Sequence, residues 1–164
     1  MKRKALSFAL CLCVMCASAQ TQHITFDDEN ENWDVVKGKA QVVASPSHQG
    51  KALLLTPGTL VNIPVELTQS SVYKVSAWLR AASGETSVTL QSNDFGNEFS
   101  LTSAKPDWIK VETTVNVPSG KHSPSVEVVF EGASQAWVDD IVIERLGDYQ
   151  EKAVTGFLPK SKRT

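Results

Sequence analysis

Short stretches in which apolar and polar residues alternate recur along most of the chain, and no long stretch has the apolar spacing of a helix. Glycine, proline, asparagine, aspartate and serine separate these stretches and favour turns between them. Strands this short and this closely spaced indicate an all-β sandwich or barrel. They are predicted at residues 23–26, 33–36, 40–44, 51–56, 59–63, 72–81, 86–92, 98–102, 108–117, 125–131 and 137–145.

The alternation also predicts which side chains form the core. In 72–81, 86–92 and 108–117, apolar residues occupy every second position, and side chains two apart on a strand share a face. This pattern is typical of antiparallel sheets that each turn one face towards a shared core. The predicted core contains Trp33, Tyr73, Val75, Leu79, Val111, Val128, Phe130 and Ile141.

A carboxylate interrupts the apolar face of the last strand. The alternation places Asp139 on the same face as Trp137, Ile141 and Ile143, with Val138 on the opposite face. A buried carboxylate is costly unless a cation or several hydrogen-bond donors meet it. Either Asp139 binds a cation inside the domain, or it lies at a strand end and is hydrated or bonded to a nearby loop.

The first nineteen residues of this 164-residue chain have the features of a signal peptide. A basic start and a short apolar stretch precede Ala17-Ser18-Ala19, a small-x-small cleavage pattern, and the stretch is too short to span a membrane. Cleavage after Ala19 would leave 145 residues and remove all three cysteines. The product is expected to be secreted, periplasmic or held on the cell surface, and thiol catalysis and thiolate zinc sites are excluded.

The remaining chain is acidic. Removing Lys2, Arg3 and Lys4 from the 16 basic residues leaves 13 against 18 acidic ones, a net charge of −5. This balance argues against nucleic acid or an anionic membrane as partners. We predict one domain over residues 20–146 and a flexible tail over 147–164, where the alternation ends.

The sequence contains no strong catalytic motif. His23, His48 and His122 lack metal-ligand spacing, and neither a nucleophile elbow nor a phosphate-binding glycine loop is present. Glu127 and Glu131 share a strand face but lie roughly 13 Å apart. That separation exceeds the gaps of retaining and inverting glycosidases. A binding domain is favoured over an enzyme.

Several motifs together resemble the carbohydrate-binding modules of families four and nine, found in bacterial cellulases and xylanases. Their order and spacing cover residues 23–146 and imply a β-jelly roll of two antiparallel sheets. The motifs are Thr25-Phe26-Asp27-Asp28 with Trp33, Gly50-Lys51-Ala52-Leu53, Tyr73-Lys74-Val75-Ser76-Ala77-Trp78, Trp108, Val117-Pro118 and Val138-Asp139-Asp140-Ile141.

The resemblance implies one structural calcium ion. Its ligands match Thr25, Gly50 and Asp139, with Asp27 and Asp28 as nearby alternatives. Calcium accepts oxygen ligands, backbone carbonyls among them, so Thr25 and Gly50 can both contribute through the main chain.

The resemblance also implies a glycan groove on the concave sheet, over strands 86–92 and 125–131. Sugars would be held by hydrogen bonds and by aromatic stacking. This groove would be poor in aromatic residues, with Phe95 expected outside the core as its stacking surface, so we expect weak binding of a single soluble polysaccharide or oligosaccharide chain. The predicted ligand-binding residues are Thr89, Gln91, Asn93, Phe95, Glu127 and Glu131.

Two other hypotheses remain open. One is a calcium-stabilised adhesion or protein-interaction jelly roll without a sugar groove. The other is a small extracellular enzyme that acts on glycans through Glu127 and Glu131. In each case a monomer is expected.

Overall fold

A computed structural model describes residues 21–29, 31–46, 49–83, 87–92, 95, 99–119, 125–131 and 134–149, with the backbone alone for Ser125 and residues 128–131. All eleven predicted strands are present, and their ends differ from the prediction by at most three residues. The strands are Thr21–Ile24 (β1), Asp34–Lys37 (β2), Ala40–Ala44 (β3), Lys51–Leu55 (β4), Leu60–Pro64 (β5), Ser71–Ala81 (β6), Ser87–Ser92 (β7), Phe99–Ser103 (β8), Ile109–Val117 (β9), Ser125–Glu131 (β10) and Ala136–Asp148 (β11).

These strands form two antiparallel sheets, which confirms the predicted all-β fold class. One sheet has six strands in the order β3-β4-β11-β6-β9, with β1 also paired to β11. The other has five strands in the order β2-β5-β10-β7-β8. Within the described part of the chain, no helix is long and apolar enough to cross a membrane.

The core between the sheets follows the predicted alternation. Tyr73, Val75, Leu79 and Ile141 are fully buried. Trp33 and Val111 are partly buried and pack against this cluster, so they lie at its edge. The side chains of Val128 and Phe130 lie outside the described residues.

The predicted face of Trp137 is wrong. Val138 is fully buried, whereas Trp137 is only partly buried and points away from the core. The pairing of β11 with β6 shifts register between Asp139 and Val142, and Asp140 has a φ of 45°. This bulge changes the parity of the strand, so Val138 and Ile141 both face inward although they are three residues apart.

The last strand also continues past the predicted end of the domain. Gly147 pairs with Val72 and Asp148 pairs with Ser71, while the Tyr149 amide donates to the Ser70 carbonyl at 2.7 Å. Residues 147–149 are therefore held by the fold, and the rest of the predicted tail, 150–164, lies outside the described residues.

Candidate functional site

Two strands share one edge of β11 and leave a gap between them. β4 pairs with Ala136–Val138, and β1 pairs with Ile141–Glu144. The opposite edge of β11 is taken by β6. Asp139 and Asp140 lie in the gap, where they pair with neither β4 nor β1. Thr25 directly follows β1 and Gly50 directly precedes β4, so the register brings both towards these two aspartates.

Asp139 is buried at the gap. Only 2% of its surface is exposed, and its Oδ1 accepts a hydrogen bond from the Asp140 amide at 2.7 Å. Asp140 itself is partly exposed, and its Oδ1 lies 2.9 Å from His23 Nε2. The carboxylate is therefore buried, which contradicts the expectation that Asp139 is hydrated at a strand end.

The segments around Thr25 and Gly50 are tied together by carboxylates. The Thr25 amide and hydroxyl both donate to Glu31 Oε1, at 2.7 and 3.1 Å. Asp27 Oδ1 accepts from the Lys51 amide at 2.7 Å. A Cβ added to Gly50, whose φ is 81°, would lie 2.6 Å from that same Asp27 oxygen. A residue with a side chain at position 50 would clash with the Asp27 carboxylate, so this position requires glycine.

The chemistry of these groups fits calcium. The candidate ligands are all oxygen atoms, from the Asp27 and Asp139 carboxylates and from Thr25. The predicted ligand Gly50 does not fit, because its carbonyl accepts from the Ser45 amide at 3.0 Å while the Lys51 amide of the same trans peptide donates to Asp27, so the carbonyl points away from Asp27 towards β3. In the described ranges no three acidic, histidine or cysteine side chains cluster, so main-chain oxygens would complete the coordination. Asp28, which was the other alternative calcium ligand, lines an open surface cavity beside Lys51.

A row of polar residues crosses the outer face of the five-stranded sheet. Asn62 pairs with both Asp34 and Glu127, Glu127 pairs with Gln91, and Gln91 pairs with Ser100. These five residues stand side by side, one on each strand, in a line perpendicular to the strands. Gln91 Nε2 donates to Glu127 Oε2 at 3.3 Å, which orients the amide.

The next row on this face contains two hydroxyls in contact. Thr89 pairs with Thr102, and their Oγ1 atoms lie 2.7 Å apart. Among the described outward-facing residues of this sheet, none is aromatic. The face therefore offers hydrogen-bonding groups but little stacking surface.

The structure brings together three of the six residues predicted to bind a ligand. Thr89, Gln91 and Glu127 share the outer face of β7 and β10, which are neighbours in one sheet as predicted. The backbone of Glu131 lies on the same strand as Glu127, but its side chain is not among the described ones, and Asn93 lies outside the described residues. The sequence alone did not single out Asp34, Asn62 or Ser100, because their place in the row depends on strand pairing.

Phe95 does not belong to this face. Its side chain is 3% exposed, and its ring packs edge-on against Phe99 with 5.4 Å between the centroids. The expectation that Phe95 presents a stacking surface outside the core is therefore wrong. Burial in an aromatic pair stabilises the fold and leaves no ring face for a ligand.

Comparison with known families identifies the kind of domain. The profile of the family described as "Carbohydrate binding domain", which groups modules of families four and nine, matches residues 18–136. The chain belongs to this family. The resemblance read from its motifs is thereby confirmed. No curated protein shows significant sequence similarity to the chain.

Solved carbohydrate-binding modules share the fold of this carbohydrate binding domain. The CBM22-1–GH10 modules of Clostridium thermocellum endo-1,4-β-D-xylanase 10B, complexed with xylohexaose, match with a TM-score of 0.62 and 15% identity; 76% of this chain and 28% of that one are covered. The C-terminal family 22 module of the same xylanase matches with a TM-score of 0.59 and 16% identity; 79% of this chain and 95% of that one are covered. TmCBM61 in complex with β-1,4-galactotriose matches with a TM-score of 0.54 and 18% identity; 71% of this chain and 89% of that one are covered.

Proposed function

We propose that this chain is a secreted, non-catalytic carbohydrate-binding domain that holds one soluble polysaccharide chain across the outer face of its five-stranded sheet. The observation that carries the proposal is the row Asp34, Asn62, Glu127, Gln91 and Ser100. Neighbouring strands lie about 4.8 Å apart, so the row extends roughly 19 Å. An extended oligosaccharide could contact all five strands at once.

The chemistry of the row suits sugar hydroxyls. Carboxylates accept hydrogen bonds, amides both donate and accept, and a serine hydroxyl does either, so each hydroxyl of a passing sugar can find a partner. Because the described face lacks aromatic rings, binding would rest on hydrogen bonds that compete with water. Such bonds contribute about 1 kcal/mol each, which favours weak binding of a hydrated, soluble chain.

The separation of the two glutamates on β10 supports a non-catalytic role. Glu127 and Glu131 lie four positions apart on one strand, which corresponds to roughly 13 Å. Retaining glycosidases place their carboxyl groups about 5–5.5 Å apart and inverting ones about 6.5–9.5 Å apart. The pair is too widely spaced for either mechanism.

The ligands in the related structures suggest the first probes. Xylohexaose is present with the CBM22-1–GH10 modules of the xylanase and β-1,4-galactotriose with TmCBM61. Both are short, uncharged β-linked chains. We propose the same class of ligand for this domain.

Titration calorimetry tests the proposal. Xylohexaose, β-1,4-galactotriose and soluble β-glucan and mannan oligosaccharides are titrated into the mature domain. Gln91→Ala should remove about one hydrogen bond and weaken affinity roughly fivefold. The matched control is Gln41→Ala, which removes an exposed glutamine from β3 in the other sheet and should bind like wild type. If none of these ligands binds at millimolar concentration, or if Gln91→Ala binds like wild type, the adhesion hypothesis replaces this one.

A further inference from the structure

Two of the four tryptophans lie on the outer face of the six-stranded sheet. Trp137 stands between Ala136 and Val138, which are both fully buried, so its side chain faces the other way. Trp78 likewise alternates with buried neighbours in β6. The outer face of an antiparallel sheet is normally polar. Two indoles on that face are therefore not explained by the core.

Cross-strand pairing gathers these indoles into one band. Trp137 pairs with Leu54 of β4 on one side and with Arg80 of β6 on the other. Leu54 is partly buried and alternates with two fully buried leucines, so it shares the outer face. Trp78 lies two positions from Arg80, diagonal to Trp137 and within reach of a large side chain. We call Leu54, Trp137, Arg80 and Trp78 the tryptophan band. Trp108 directly precedes β9, the strand that pairs with β6 on the side away from Trp137.

The arginine holds the band in one arrangement. The Arg80 guanidinium lies 5.1 Å from the centroid of the Trp137 ring, a cation–π contact. Arg80 Nε also donates to the Pro106 carbonyl at 2.8 Å, which fixes the guanidinium. A side chain that is already fixed loses little conformational entropy when a ligand binds. The band is thus preorganised for contact.

We propose that the tryptophan band is a second carbohydrate-binding face, which contacts the flat surface of an uncharged, insoluble polysaccharide. Three neighbouring strands carry it, so it spans roughly 10 Å across the sheet. Indole surfaces and Leu54 can cover the apolar C–H faces of sugar rings, which the polar row on the opposite sheet cannot do.

The charges around the band favour a neutral partner. Lys74 Nζ and Glu112 Oε2, on the same face of the sheet, form an ion pair at 3.1 Å. Arg80 is engaged with Trp137 and Pro106. Lys110 pairs with Trp78 and Glu144 pairs with Lys74, so the face carries three cations and two carboxylates in alternation and has no strong field of one sign to attract a polyanion.

Retention on insoluble polysaccharide tests this inference. The mature domain is mixed with microcrystalline cellulose, insoluble xylan and insoluble mannan, and the depletion of protein from solution gives a binding isotherm. Wild type is expected to bind at least one of them. Trp137→Ala and Trp78→Ala should each weaken that binding by roughly twofold to tenfold, the scale of aromatic stacking.

Matched variants separate the band from general surface effects. Leu146→Ala removes another apolar side chain of β11, one that is 53% exposed, and should bind like wild type. Trp137→Phe keeps an aromatic ring and should retain most of the binding, and Leu54→Glu should weaken it without removing an indole. The melting temperature of each variant is measured beforehand on a separate sample, so that only folded variants are compared.

The proposals for the two binding faces can be tested independently. Gln91→Ala should weaken binding of soluble oligosaccharides and leave retention on insoluble polysaccharide unchanged, and Trp137→Ala should do the reverse. The inference is overturned if wild type is retained by none of the three polysaccharides, or if folded Trp137→Ala and Trp78→Ala are retained as well as wild type. It is also overturned if Trp137→Ala only converts a dimer to a monomer, because tryptophan and arginine are enriched in protein interfaces too.

Discussion

At the scale of single residues, the hydroxyl of Thr59 joins two turns of the domain. Its Oγ1 accepts a hydrogen bond from the Lys39 amide at 3.1 Å, and its one hydrogen is shared between the carbonyls of Lys39 and Thr56, at 2.9 and 2.6 Å. The residue is 1% exposed. A Cβ added to Gly38, whose φ is 81°, would lie 2.5 Å from that hydroxyl. A buried polar group is thus satisfied only because a glycine leaves room for it.

Phe95 gives a testable prediction at this scale. Truncating a buried phenylalanine removes apolar contacts and leaves a cavity, so we expect Phe95→Ala to lower the free energy of unfolding by about 3–5 kcal/mol. Phe95→Leu keeps most of the volume and should lower it much less. Chemical denaturation of both variants measures the difference. An unchanged unfolding midpoint for Phe95→Ala would mean that the ring lies outside the core after all.

At the scale of elements, the bulge in β11 organises the site. It places Val138 and Ile141 in the core and leaves Asp139 and Asp140 opposite the ends of β1 and β4. It also turns Trp137 outward, next to Arg80. A single irregularity in one strand therefore positions both the proposed metal site and the tryptophan band.

We propose that calcium binds at this gap through oxygens of Thr25 and Asp139, with Asp27 beside them, and without the Gly50 carbonyl, which faces Ser45. An ion that binds only the folded state stabilises it by about 2.7 kcal/mol at a hundredfold excess over its dissociation constant. Chelator should therefore lower the melting temperature of wild type, and Asp139→Ala should abolish that response. Asp107→Ala, which changes an exposed aspartate, should keep it. A wild-type melting curve that chelator does not move would exclude the site.

At the scale of the whole molecule, the two sheets present different outer surfaces. The five-stranded sheet presents a polar row, and the six-stranded sheet presents the tryptophan band. Both surfaces rest on one shared core, in which side chains from the two sheets pack together. The domain can therefore vary either surface without changing the packing that stabilises the fold.

Export is also a property of the whole chain, and we propose that residues 1–19 direct it. When the full chain is expressed in a bacterium, the exported protein should begin at Gln20, because signal peptidase requires small residues at Ala17 and Ala19. Intact-mass measurement of the exported fraction checks the new N-terminus. Ala19→Arg should block cleavage, and Thr21→Arg should not. Retention of uncleaved wild type inside the cell would contradict the proposal.

The sequence by itself determined the strands, the fold class and most of the core. Strands 40–44 and 125–131 have the predicted bounds, and Tyr73, Val75 and Leu79 are buried as their alternation requires. This information is local, because the period of two depends only on neighbouring residues along one strand.

Only the tertiary structure decided which residues lie together on each of the two outer surfaces. Asp34 and Glu127 join one row only because β5 pairs with both of their strands. Trp137 faces outward because of a bulge, and Phe95 is buried because Phe99 packs against it. Register between distant strands and the position of a bulge follow from packing across the whole domain, and a one-residue shift moves every side chain to the other face.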